Sequence, residues 1–169
     1  MSASKRLSDM DDDNIDCAVL FGGGPLPSRN TELLIESYRA YNRWLADFCA
    51  EAPDRFRGVA YIPMRDVEES VTMLREIAKL GFRSINIPAY PQAADLSKTS
   101  AGIKNMADSQ VAALTGDPSS QRAYWHPEFE PFWAEVCEHD ITCTMHLGGR
   151  ITRFGENDHF LPDHLMSKI

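Results

Sequence analysis

Short apolar runs alternate along the chain with longer stretches in which apolar residues recur at helical spacing. The runs, each typical of a short strand, cover residues 17–21, 57–63, 82–88 and 141–145, and the first is predicted to be buried on both faces. The helical stretches that flank or separate them cover residues 5–13, 31–50, 66–80 and 126–139. Strands that alternate with helices predict βαβ units and a parallel sheet. We therefore expect an α/β protein.

Capping residues define the ends of the predicted helices. Asn14 follows the first helix and tolerates the left-handed conformation of a helix end, and Pro53 follows the second. Asp66 is suited to the N-cap of the third helix, and Gly81 stands where a C-cap glycine is expected. Two tryptophans on helix faces are predicted to lie in the core, Trp44 and Trp133.

Residues 89–121 interrupt this regular pattern. They are rich in Ala, Ser, Asp and Gly, and a short helix over residues 103–114 is the one element compatible with them. A stretch of this length without regular structure is usually functional or disordered. No linker divides the chain, so residues 1–169 are predicted to form a single domain with an irregular insertion around residues 89–121.

Charge and composition exclude several classes of partner. The 169 residues carry a formal net charge of −8, which disfavours a nucleic acid or an anionic membrane as the main partner. No apolar run approaches the ~18 residues of a membrane span. Four cysteines lie in or beside apolar runs without a C-x-x-C pair, and we expect buried free thiols and a cytoplasmic protein.

Two candidate motifs, a dinucleotide-binding loop and a metal-binding histidine pair, do not meet the requirements of those sites. Gly22 and Gly24 follow a predicted strand, but Pro27 stands where a dinucleotide-binding loop needs its third glycine. His159 and His164 are five residues apart with Pro162 between them, so they do not share a helical face. We therefore interpret the glycines as part of a strand-to-helix turn and the two histidines as ordinary surface residues.

His146 is the candidate with the clearest chemistry. It stands at the carboxyl end of an apolar strand, which is the edge that carries active sites in parallel α/β proteins. Imidazole is a common ligand of zinc and similar ions. The alternative is a histidine that packs or caps locally.

Four segments, taken in order, carry a resemblance to a known family. They centre on Asn14-Ile15-Asp16, Ala52-Pro53-Asp54-Arg55-Phe56, Ile62-Pro63-x-x-Asp66 with Leu80-Gly81-Phe82-Arg83, and Pro131-x-Trp133 with Met145-His146-Leu147-Gly148-Gly149. Their succession resembles the amidohydrolase-related metal-dependent hydrolases, the group that includes aminocarboxymuconate-semialdehyde and resorcylate-type decarboxylases. The resemblance runs from about residue 5 to residue 149.

This resemblance implies a (β/α) TIM-type barrel with a divalent metal, usually zinc, at its carboxyl mouth. The strands found here would be about the second to the fifth, and His146 would be the ligand that ends the fifth strand. No His-x-His ligand pair is present. A complete barrel takes roughly 250 residues. We therefore expect an incomplete barrel, a fragment that is inactive in isolation.

Four further residues near predicted strand ends are candidates for substrate binding. Pro88 ends the third apolar run and Tyr90 follows it, Trp125 would form an aromatic wall with Tyr124, and Arg150 would meet a substrate carboxylate. For each of them, surface or core packing is the alternative.

Two classes of function remain in competition. The first is a metal-dependent hydrolase or carboxy-lyase acting on a small carboxylated, possibly aromatic compound. The second is a non-catalytic α/β module, and an open flavodoxin-like sheet would also fit the element order. Because an incomplete barrel leaves strand edges unpaired, we expect a homo-oligomer.

Overall fold

The computed structural model describes residues 2–26, 28, 30–88, 91 and 124–146. In chain order these residues form α1 (Ala3–Asp12), β1 (Ala18–Leu20), α2 (Thr31–Ala50), β2 (Phe56–Gly58), β3 (Ala60–Tyr61), α3 (Val67–Lys79), β4 (Ser84–Asn86), a 3-10 turn (Pro127–Phe129), α4 (Glu130–Glu138) and β5 (Thr142–Thr144). The predicted alternation of strands and helices is confirmed. The short helix predicted over residues 103–114 lies outside the described residues.

Local signals set the helix ends as predicted. The side chain of Asn30 accepts a hydrogen bond from the Leu33 amide at the start of α2, and Asp66 does the same for Glu69 at the start of α3. Gly81 follows α3 with a φ of 88°, and Asn14 follows α1 with a φ of 57°. Both residues therefore occupy the left-handed conformation that ends a helix without a steric penalty for glycine and with a small one for asparagine.

All the described strands run parallel. β1 pairs with β2, and β3 pairs with β4, which pairs with β5. β2 and β3 are two halves of one extended stretch that is interrupted at Val59, whose amide donates to the Leu20 carbonyl at 2.9 Å. The spatial order therefore follows the chain order, as in a singly wound barrel rather than a flavodoxin-like sheet, in which the order reverses.

The helices cover one face of this sheet and build the core there. α3 packs on α4, and α2 packs on β2 and β3. Gly58 in β2 lies under α2 so closely that a Cβ atom would come within 3.1 Å of the Leu45 and Cys49 side chains and 2.7 Å from Phe82. The main core cluster consists of side chains from α2, α3, α4 and the strands, among them Tyr38, Leu45, Leu74, Ile77, Ile85, Phe129 and Phe132.

The opposite face of the sheet is less covered, which corrects one prediction. The first apolar run was predicted to be buried on both faces, but Cys17 is exposed and the Val19 side chain is 61% exposed. Val19 points away from the helices, and within the described part of the chain no element covers it. The first run is thus half-buried on its helix-facing side, where Ala18 and Leu20 pack against the cluster of Ala3, Met10 and Phe56.

Two further burial predictions are wrong in part. Trp44 is 52% exposed on α2, whereas Trp133 is half-buried against the core. All four cysteines are free, but Cys17 and Cys137 are exposed and the other two are half-buried. Short apolar patterns predict that a residue lies on a helix or strand, but the neighbouring elements decide how much of it is covered. Among the described helices, none combines the length and the apolarity needed to cross a bilayer.

Candidate functional site

His146 lies at the carboxyl edge of the parallel sheet. β5 runs parallel to β4 with Asn86 opposite Thr144, and His146 follows two residues beyond that last pair. The residue is exposed, and within the described part of the chain neither ring nitrogen has a hydrogen-bond partner. The strand-end placement predicted from the sequence is confirmed, and the imidazole is accessible to a ligand.

The imidazole contacts the side chain of Phe21, which follows β1. Their ring centroids are 4.9 Å apart with the planes tilted by 40°. In a flat sheet, β1 and β5 would be separated by three strand spacings, roughly 14 Å. Contact between residues that follow the two outer strands indicates that the sheet curls and brings its carboxyl edges toward a common mouth. Phe21 and His146 line this mouth.

The position of Phe21 depends on a tight turn and on a tyrosine of α2. The Tyr41 hydroxyl donates to the Phe21 carbonyl at 3.0 Å, and the following residue, Gly22, has a φ of 57°. A Cβ atom at Gly22 would collide with the Tyr41 hydroxyl. Burial, reinforced by the neighbouring Tyr61, raises the pKa of Tyr41 to about 12, so the phenol keeps its proton for this bond.

A buried asparagine holds the backbone of His146. The side-chain carbonyl of Asn86 accepts from the His146 amide at 2.8 Å. The Thr144 hydroxyl lies 3.5 Å from the same oxygen and donates at 2.9 Å to the Ile85 carbonyl. Asn86 is 1% exposed, so this polar group is enclosed directly behind the histidine.

Aromatic residues also reach the end of β4, near one predicted substrate residue. Pro88 is buried, and its carbonyl accepts from the Tyr124 hydroxyl at 2.6 Å. The Trp133 indole donates to the Tyr124 carbonyl at 2.9 Å, which ties this segment to α4. Trp125 follows Tyr124 and is 87% exposed. The structure thus brings Pro88 and the Tyr124–Trp125 segment together, whereas Tyr90 and Arg150 lie outside the described residues.

The loop after β3 buries a positive charge close behind the same edge. Arg65 is 3% exposed, and its guanidinium donates to the Thr31 hydroxyl at 3.2 Å at the start of α2. Burial raises the pKa of the nearby Glu69, although Arg39 and Arg65 act to lower it. Met64, just before Arg65, has a φ of 52°, an uncommon conformation for a residue with a side chain. The buried guanidinium thus links the loop after β3 to the start of α2.

The described residues do not form a complete metal site. They contain no group of three or more His, Cys, Asp or Glu side chains that could hold an ion together. A catalytic zinc site typically has three protein ligands and an open position. His146 has the chemistry and the accessibility of one ligand, and any others would have to come from outside the described part of the chain.

Two residues of this edge were missed by sequence reasoning. Asn86 stands between Ile85 and Ile87, and a polar residue between two apolar ones at a strand end could have drawn notice as a buried polar group. Phe21 gave no such signal, because an aromatic residue at a strand end is most simply explained by packing.

The comparisons with known proteins agree with this architecture. The sequence profile of the amidohydrolase family matches residues 18–168. The gamma-resorcylate decarboxylase of Rhodococcus jostii is 32% identical over 147 residues, which is 83% of this chain and 38% of that enzyme. The chain thus spans less than two fifths of the length of this curated relative.

Solved structures of similar enzymes superpose on the chain. A 2,6-dihydroxybenzoate decarboxylase in complex with 2,6-dihydroxybenzoate matches with a TM-score of 0.58 and 27% identity, covering 83% of this chain and 38% of that one. The 5-carboxyvanillate decarboxylase of Novosphingobium aromaticivorans, with bound manganese and 3-methoxy-4-hydroxy-5-nitrobenzoic acid, matches with a TM-score of 0.59 and 26% identity over 84% and 34% of the two chains.

The predicted partial barrel is confirmed, because the chain matches about a third to two fifths of each of these longer proteins. Its parallel strands follow one another in space, with helices on one face. By its sequence and its fold, the chain belongs to the amidohydrolase family.

Proposed function

We propose that the chain supplies the second to fifth strands of a metal-dependent carboxy-lyase that acts on a small aromatic carboxylate, with His146 as one metal ligand. The observation that carries this proposal is the accessible imidazole at the carboxyl edge, beside an aromatic ring at the curled mouth. In barrels of this type the carboxyl edge is where active sites lie.

Decarboxylation is favoured over hydrolysis by the relatives. Curated enzymes that match at 27–32% identity are gamma-resorcylate decarboxylases, and the similar solved structures include decarboxylases of dihydroxybenzoate and carboxyvanillate. The family resemblance implied zinc as the usual metal, whereas the 5-carboxyvanillate enzyme was solved with manganese. The proposal therefore takes a divalent cation, and titration with both ions identifies it.

The same proposal makes the isolated chain a poor catalyst. Within the described residues His146 is not joined by two further ligand side chains. A cation held by one imidazole is bound weakly. The chain then behaves as a non-catalytic α/β module until the remaining ligands are supplied.

A metal titration with matched histidine variants tests the proposal. We expect calorimetry with Mn²⁺ and with Zn²⁺ to show weak binding that His146→Ala removes and His139→Ala keeps. His139 is the control because it follows α4, before β5 begins, at the opposite edge of the sheet, where its ring meets Glu135 at 3.3 Å. Equal binding by the wild-type chain and His146→Ala would rule out His146 as a ligand.

Turnover is measured in parallel on the same samples. We expect no carbon dioxide release from 2,6-dihydroxybenzoate by the isolated chain with either ion. Tight one-to-one binding accompanied by turnover would contradict the inactive state. Hydrolysis of an amide substrate without decarboxylation would instead support the hydrolase alternative.

We also propose that the isolated chain self-associates. β1 pairs with β2 on one side, and within the described residues its other edge has no strand partner. Val19, on the uncovered face of that strand, is 61% exposed. Unpaired edges and uncovered apolar side chains favour association. Light scattering during size-exclusion chromatography is expected to give a dimer or a larger species, and a stable compact monomer would contradict this.

A further inference from the structure

We infer that Asn86 is a positioning residue, which fixes where the His146 imidazole stands at the mouth. This inference rests on the proposed function in one respect, because it treats His146 as the group that meets the ligand. The observation that carries it is independent of any metal. The amide of His146 donates its hydrogen bond to the side chain of Asn86 and not to the backbone of β4.

The backbone ladder between β4 and β5 shows why this is unusual. The Thr142 amide donates to the Arg83 carbonyl, and the Ile87 amide donates to the Thr144 carbonyl, both at 2.9 Å. In a parallel ladder the next bond would run from the His146 amide to the Ile87 carbonyl. Instead this amide bonds the Asn86 side chain at 2.8 Å. The asparagine therefore replaces the backbone acceptor at the point where β5 leaves the sheet.

The surroundings make this replacement specific and rigid. Asn86 is 1% exposed and lies opposite Thr144, whose hydroxyl is 3.5 Å from the same side-chain oxygen. The side chain of Asn86 is long enough for its carbonyl to reach the amide of His146, two residues beyond Thr144. An apolar residue at position 86 would leave the His146 amide without this acceptor.

The histidine is thereby held from two strands. Asn86 on β4 fixes its backbone, and the Phe21 ring, which follows β1, contacts its imidazole with centroids 4.9 Å apart. Groups that orient a ligand side chain without touching the metal are typically worth roughly 10- to 100-fold in metal affinity. We therefore expect loss of the Asn86 carbonyl to let the imidazole leave the Phe21 ring and to weaken any ion bound there.

Nuclear magnetic resonance on the full chain tests the inference without metal. The His146 ring signals are expected to be displaced from those of a free histidine by the ring current of Phe21. Asn86→Ala is expected to return them toward the free-histidine position, whereas Asn86→Asp retains the displacement because a carboxylate oxygen occupies the same place. Spectra of the wild type and all variants are compared at one and the same pH.

Two controls keep the result interpretable. Phe21→Leu should remove the displacement while leaving the His146 amide hydrogen-bonded, which identifies the source of the shift. An unchanged ring signal in a folded Asn86→Ala chain would overturn the inference. Should that variant fail to fold, hydrogen exchange of the His146 amide in the wild-type chain decides: protection supports the bond to Asn86, and exchange at the rate of a free amide overturns it.

Metal binding by the Asn86 variants distinguishes a failure of this inference from a failure of the proposed function. With Mn²⁺ or Zn²⁺ alone as the probe, Asn86→Ala is expected to lose roughly 10- to 100-fold in apparent affinity, and Asn86→Asp to lose less. If the wild-type chain binds neither ion, the proposed function fails in the isolated chain while the ring signals still report on Asn86. If Asn86→Ala binds the ion like the wild type, the positioning role is wrong even though the ligand role of His146 stands.

Discussion

Replacing Asn42 by leucine is expected to lower the free energy of unfolding by roughly 2–5 kcal/mol, because two buried backbone groups lose their partner. Asn42 is 2% exposed on α2. Its amide nitrogen donates to the Tyr61 carbonyl and its carbonyl accepts from the Tyr61 amide, both at 2.9 Å. The side chain thus satisfies both backbone groups of one strand residue.

The reason for this arrangement lies in the sheet. β3 bonds β4 through the residues on either side of Tyr61, as the bond from the Ile62 amide to the Asn86 carbonyl shows. The backbone of Tyr61 therefore points to the other side, toward β1. β1 has already ended at Leu20. The last hydrogen bond between β1 and this stretch runs from the Val59 amide to the Leu20 carbonyl. Asn42 takes the place of the missing strand.

Urea denaturation followed by circular dichroism measures this effect, with the linear extrapolation giving the free energy in water. Arg43→Leu is the matched control, because Arg43 is the exposed neighbour on the same helix and its replacement is expected to stay within about 0.5 kcal/mol of the wild type. An Asn42→Leu chain as stable as the Arg43→Leu chain would show that water or a shifted strand satisfies Tyr61 instead.

Gly22→Ala is expected to cost roughly 2–4 kcal/mol, combining a strained backbone with a displaced tyrosine. Gly22 has a φ of 57°, in the region that L-residues with a side chain disfavour. Its new methyl group would also collide with the Tyr41 hydroxyl, which holds the Phe21 carbonyl. The substitution should therefore loosen the turn that places Phe21 against His146.

Gly23→Ala is the matched control for this prediction. A Cβ atom at Gly23 would meet no heavy atom within 4 Å, so we expect a change of no more than about 0.5 kcal/mol. Similar losses at the two glycines would mean that the turn, rather than contact with Tyr41, sets the stability.

Tyrosine ionisation gives a second measurement on the same variants. Burial raises the pKa of Tyr41 to about 12 from its ordinary value of 10.0. Because the folded-state pKa is the higher one, the contribution to stability is fully present below pH 10.0 and is lost as the pH rises toward 12. Ultraviolet titration of Gly22→Ala should show one tyrosine ionising at lower pH than in the wild type, and an unchanged titration would mean that Tyr41 has not moved.

The helices could be predicted closely because their signals are local. α2 spans Thr31–Ala50, as the apolar spacing and the following proline predicted, and Asp66 caps α3. The burial of individual side chains was predicted less well. Val19 and Trp44 were expected inside and are more than half exposed, because their cover depends on elements distant in sequence.

For the candidate site, too, the local part could be predicted and the long-range part could not. The place of His146 at a strand end followed from a short apolar run and from the rule that parallel strands present their carboxyl ends to the active site. Its contacts did not follow. The bond to Asn86 depends on the register that sets Asn86 opposite Thr144, and the contact with Phe21 depends on how far the sheet curls.

By itself the sequence determined the alternation of strands and helices, the helix ends, the family resemblance and the strand-end position of His146. These properties depend on residues close together in the chain, whose spacing and caps are visible in the sequence. Only the tertiary structure decided that Asn42 completes the edge of β3, that Asn86 holds His146, and that β1 and β5 meet through an aromatic contact. Each of these joins residues 19 or more positions apart, and such pairings arise from strand register and sheet curvature, which no local pattern encodes.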